Sequence, residues 1–146
     1  KTYVRIMKTG TGAAGAATGA MVGGLVWGLV TFFSPSEFAD PDIEGSGYNM
    51  DSTLVWRLDR ARTEAGVPFK INSGYRSHHR NKWVGGKKDS SHLTGHAVDI
   101  HCNNSRDRYI IVNALLEQGF NRIGIGSTFI HADNDTTKSE KVIWLY

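Results

Sequence analysis

A chain of 146 residues holds one modest domain, and with 40% hydrophobic and 21% charged residues it is not a chain disordered throughout. A formal net charge of +3 favours anionic surfaces, but no basic run interleaved with aromatics is present, which argues against a nucleic-acid-binding module. Cys102 is the only cysteine, which excludes an intrachain disulfide and a thiolate metal cluster, so any zinc site must draw on His and carboxylate ligands.

Lys1, Arg5 and Lys8 precede an uncharged stretch from Thr9 to Ser36, rich in Gly and Ala at first and more apolar from Met21 to Phe33. Its length suits a bilayer-spanning helix, and glycines four apart (Gly15, Gly19 and Gly23) suit close helix packing. Three readings follow for residues 1–33: a weak membrane anchor with its basic residues on the cytoplasmic side, an export signal, or a flexible Gly/Ala arm or helix packed in a protein assembly. A folded domain is expected over residues 34–146. Ser34-Pro35-Ser36 turns into a short helical segment at Glu37-Phe38, and Pro41 to Asn49 is a Gly/Pro/Asp-rich loop.

Asp51 to Ala65 has the spacing of an amphipathic helix, with Asp51 as cap, Leu54, Leu58, Ala61 and Ala65 on one face and Gly66 as stop. Phe69 to Ser73 alternates like a strand, and Gly74 to Ser90 is loop-like by composition. Gly95 to His101 alternates again, with Ala97, Asp99 and His101 on one side. Ser105 to Gln118 is predicted as a second helix, capped by Ser105 and closed at Gly119. Arg122 to Ile125, Thr128 to Ala132 and Lys141 to Tyr146 are strand candidates. The expected class is α+β, a small antiparallel sheet with flanking helices.

The segment from Ser90 to Asp99, followed about thirty residues later by Phe129-Ile130-His131-Ala132-Asp133, carries the candidate chemistry. A catalytic zinc takes three protein ligands and leaves one position open. His92 at a loop end, Asp99 on a strand and His131 on a neighbouring strand supply such a set, with Gly95 allowing a tight turn between the first two. The competing reading is that His92 and His131 are ordinary loop and core histidines.

Ser90-x-His92-x-x-Gly95-x-Ala97-x-Asp99 resembles the signature of the M15 peptidases, a family of D-Ala-D-Ala carboxypeptidases and phage L-alanyl-D-glutamate endolysins. Ser73-Gly74-Tyr75-Arg76-Ser77, Asn81, Gly85-Gly86, Ile123-Gly124-Ile125-Gly126 and Phe129-Ile130-His131 are similar to further family segments in the same order. The resemblance implies a hedgehog-type zinc fold, with His92, Asp99 and His131 as zinc ligands. It also implies that Arg76 binds substrate carboxylate or steadies a developing oxyanion.

One position departs from the pattern. Well-described members carry an acidic general base three residues before the last zinc ligand, where this chain has Thr128. Asp133, on the same strand face as His131, is the substitute candidate for the base; its alternative role is to orient a ligand. Ser90, His101 and Trp83 complete the set as candidate substrate contacts, whereas Trp144 is read as a packing residue.

The expected function is hydrolysis of an amide bond in peptidoglycan stem peptides by a zinc enzyme of the phage lysis or entry type. The alternative is an inactive zinc-stabilised module that binds cell wall or protein. The expected partner is a peptidoglycan peptide, with no nucleic acid. The expected location is the periplasm, with membrane or virion association through residues 9–33.

Overall fold

The computed structural model describes residues 23–146. Its first long helix, α1 (Ser52–Ala65), begins where the Asp51 carboxylate accepts the backbone N–H of Leu54 at 2.9 Å, and it ends at Gly66. Leu54, Val55, Leu58 and Ala61 on its inner face are fully buried. The segment expected to be loop from Gly74 to Ser90 contains a short helix, α2 (His78–Trp83), started by the Ser77 hydroxyl accepting from the N–H of Arg80. Its six residues are almost all polar, so no apolar period marked it. The third helix, α3 (Ser105–Glu117), is capped by Asn104 rather than by Ser105: the Asn104 amide oxygen accepts from the N–H of Asp107 at 2.8 Å. Single turns of 3₁₀ helix lie at Pro35–Phe38, Ser46–Asn49 and Ser91–Thr94.

Five strands form one sheet: β1 (Ile71–Ser73), β2 (Ala97–His101), β3 (Arg122–Ile125), β4 (Phe129–Asp133) and β5 (Val142–Leu145), in the order β1-β2-β4-β3-β5. The first four pair antiparallel, as expected of an α+β fold. The sheet is nonetheless mixed, because β5 runs parallel to β3. The chain returns through residues 134–141 before entering β5, a connection long enough to reverse direction.

The sheet has two unlike faces. Val98, Ile100, Ile123, Ile130 and Ala132 point to one side and are fully buried in a core shared with α1 and with Ile111, Ala114 and Leu115 of α3. The alternate residues form the other face, and a single row of register partners crosses all five strands: Ser73, Asp99, His131, Gly124 and Trp144.

The packed unit reaches further toward the N-terminus than the expected boundary at Ser34. Val26 and Phe33 are buried in the core, Trp27 packs on Phe38, and the backbone N–H groups of Thr31 and Phe32 donate to the buried Asp59 carboxylate at 3.0 and 2.8 Å. Residues 23–28 form a 3₁₀ segment rather than part of a long apolar helix. Most of the expected anchor lies outside the described residues; among those described, no helix is long and apolar enough to cross a membrane.

Candidate metal centre

His92, Asp99 and His131 converge on the polar face of the sheet, with one donor atom from each lying within 4.8 Å of the others. The convergence follows from local structure. Asp99 and His131 are direct register partners on β2 and β4. His92 sits in the 3₁₀ turn before β2, and Gly95 brings the chain round with φ of 72°, in the left-handed region open to glycine. A side chain at Gly95 would also strike the backbone of Asn49 and Met50, so the turn is seated directly against the segment leading into α1.

The hydrogen bonds fix which nitrogens face the centre. His92 Nδ1 donates to the carbonyl oxygen of Gly74 at 2.7 Å, which leaves Nε2 directed at Asp99 Oδ2, 3.3 Å away. His131 lies between two carboxylates, with Nδ1 at 2.9 Å from Asp99 Oδ1 and Nε2 at 2.8 Å from Asp133 Oδ2. Burial alone would lower the pKa of His131, but its bonds to Asp133 and Asp99 outweigh that and raise it. Burial likewise pushes Asp99 upward, yet hydrogen bonds from His131 and His92 hold it well below the usual carboxylate range. A cation held by these three donors would take the place of the hydrogen between His131 Nδ1 and Asp99. Two imidazole nitrogens and one carboxylate, each ring held from behind, fit a divalent metal ion.

Arg76 flanks the cluster, its guanidinium 3.8 Å from Asp99 Oδ2. It is held in place by donating to Asn81 Oδ1 at 3.0 Å and to Ser73 Oγ at 3.1 Å. A side chain at Gly86 would run into both Asn81 and Arg76, which gives that glycine a positioning role. The backbone N–H of Arg76 donates to the carbonyl oxygen of His92 at 3.0 Å, so the arginine loop and the metal loop are joined directly.

Asp133 stands behind His131, away from the converging atoms. Its Oδ2 receives the Nε2 proton of His131, while Oδ1 accepts from Arg122 Nε at 2.6 Å and from the N–H of Asp135 at 3.2 Å. Both oxygens are engaged and the residue is buried, an arrangement that orients the imidazole and departs from that of a base facing an open coordination position. Burial raises the Asp133 pKa, but the bonds from His131 and Arg122 more than offset it, keeping the carboxylate ionised.

The cluster opens into a cavity of about 630 Å³. Ser90 lines it and also accepts from the N–H of His92 at 3.3 Å. Among the other candidate contacts, His101 and Trp83 are exposed and lie outside the lining; Trp83 instead lies beneath the Arg80 guanidinium at 4.5 Å. Thr128 is exposed in the turn between β3 and β4, also outside the lining. Arg122, Trp144 and Tyr146 join the wall, and sequence reading did not select them. For Trp144 and Tyr146 the signal was their alternation with Val142, which has meaning only once β5 is known to lie beside β3.

No curated protein matches the sequence. Residues 33–133 match the family described as Peptidase M15, a span that includes Arg76, His92, Asp99, His131 and Asp133. The match covers more than two-thirds of the sequence, and the chain belongs to the M15 peptidase family.

Proposed function

We propose that the protein is a zinc-dependent peptidase that hydrolyses an amide bond in peptidoglycan stem peptides, in the manner of phage-type lysis or entry enzymes. The observation that carries this reading is the His92-Asp99-His131 cluster at the floor of an open cavity, with Arg76 fixed beside it. Zinc held by these residues supplies Lewis acidity toward the scissile carbonyl and toward water. The protein's own groups do the rest. Gly74 and Asp133 hold the two imidazoles in the tautomers that present Nε2 of His92 and Nδ1 of His131 to the cation. Arg76, locked by Asn81 and Ser73, grips a peptide carboxylate or the charge that develops on the attacked oxygen. Lys87 adds positive charge to the cavity wall beside Arg76, which suits a substrate carboxylate, whereas Lys138 is paired with Asp89 and Asp135. Such a substrate sets the place of action at the cell wall, reached from the periplasm or from a virion.

The position of Thr128 favours a second reading, in which the zinc-stabilised domain binds wall peptides without cutting them. Incubation of the zinc-loaded protein with purified peptidoglycan separates the two. The peptidase reading expects soluble D-Ala or dipeptides by mass spectrometry, loss of product on chelation, recovery on adding zinc, and no product from His92→Ala. Absence of product from fully loaded protein that still binds the wall would leave the binding module as the function.

A further inference from the structure

The wall formed by Trp144 and Tyr146 lies beyond residues 33–133, the span matched to the family, and the proposed chemistry gives it no role. It is built with care. Gly124, the register partner of both His131 and Trp144, has no side chain, and a Cβ there would meet the Tyr146 ring at 2.6 Å and the Trp144 ring at 2.8 Å. The two rings therefore fold over the sheet onto the His92-Asp99-His131 cluster. Trp144 lies 5.5 Å and Tyr146 6.4 Å from the His131 ring, centroid to centroid. Phe129 supports Tyr146 from the side at 4.9 Å, and the Tyr146 N–H donates to the carbonyl of Ile125, extending the β3–β5 pairing. Arg76 and Tyr146 follow the two opposite edge strands, β1 and β5, and both line the same cavity.

Resting on the peptidase reading, we propose that the Tyr146 hydroxyl is a catalytic hydrogen-bond donor to the carbonyl oxygen of the scissile amide, paired across the cluster with the Arg76 guanidinium. The phenol keeps its proton throughout and contributes a preorganised dipole where negative charge develops. Its electrostatic surroundings agree. Burial, followed by the negative charge of Asp99, pushes its pKa upward, so it remains a donor across the neutral range.

Tyr146→Phe keeps the ring over Gly124 and removes only the hydroxyl. In the zinc-loaded chain the variant is expected to lose about 100-fold in kcat, with KM for a stem peptide within about twofold of wild type. Binding of a phosphinate dipeptide, which mimics the tetrahedral state, should weaken by a similar factor, while zinc affinity from chelator competition stays unchanged. Equal phosphinate affinity in variant and wild type would overturn the assignment, as would a matched fall in zinc affinity, which would make Tyr146 a structural support. Wild-type protein that binds phosphinate without cleaving peptide would sink the peptidase reading, while the phosphinate comparison would still decide whether Tyr146 donates. Protein that neither cleaves nor binds would overturn both.

Discussion

His131 gives one proton to each of two carboxylates, and the two bonds have different fates. The Nε2–H bond to Asp133 is compatible with a bound cation, whereas the Nδ1 hydrogen must leave. Because the pKa of His131 is raised, zinc binding should expel a proton over a pH range reaching above that of an ordinary histidine, and affinity should climb with pH until His131 deprotonates unaided. Calorimetry in buffers of different ionisation enthalpy measures the released proton; no buffer dependence would contradict the arrangement. The metal-free protein should show the converse in its stability. His131, with its raised folded pKa, stabilises fully below about pH 6.5 and loses that contribution as pH rises through the folded value. Asp99 and Asp133, with depressed folded pKa values, stabilise above about pH 4 and lose it as pH falls toward theirs. A melting-temperature profile of the chelated protein should therefore peak in the weakly acid range, and zinc should move the peak upward in pH. Asp133 also admits a direct test. Asp133→Ala strips a partner from both Arg122 and His131, so zinc affinity should fall roughly 10- to 100-fold. The same variant should lose about 3–5 kcal/mol of stability in a denaturant melt, the usual cost of leaving a buried charge unpaired.

Among the elements, Asp51 joins a helix start to the site loop. Its carboxylate accepts from Leu54 N–H and from Asn134 Nδ2, and its own N–H donates to the carbonyl of Gly95 in the turn that carries His92. Asp51→Ala should cost about 1 kcal/mol for the lost cap, with a further loss from Asn134, read as a lowered denaturation midpoint. The cap was legible in the sequence because an acidic residue stood directly before an apolar 3.6-residue period. The same holds for β2, where alternation put Asp99 on one face and Val98 and Ile100 on the other. Helix α2 was not legible, since its polar residues rest on a serine cap and on loop contacts with no apolar stripe to betray them. Nor was the wall of β5. Which residues share a row across a sheet depends on pairing partner and direction, and the parallel placement of β5 on β3 is a long-range outcome that no local pattern encodes. For that reason Trp144 read as a packing residue, although its ring rests on His131.

At the scale of the whole molecule, residues ahead of Ser34 are part of the fold. Val26 and Phe33 are buried in the core, Phe33 against Phe38, and complete burial of such side chains stabilises by roughly 1.5–3 kcal/mol each. A chain beginning at Ser34 should accordingly melt at a clearly lower temperature than one beginning at residue 23, and it should expose Asp59, which would lose the N–H donors of Thr31 and Phe32. Differential scanning calorimetry of the two truncations decides the matter; equal melting temperatures would mean that the N-terminal packing adds nothing.

The arginine loop and the histidine turn are tied by hydrogen bonds running in both directions, Arg76 N–H to the His92 carbonyl and His92 Nδ1–H to the Gly74 carbonyl. Neither loop can shift without dragging the other. If the peptidase reading holds, an ion that pins the imidazole would also steady the guanidinium's footing, and a chelated sample should bind a stem peptide less tightly than a zinc-loaded one, as peptide titration would measure.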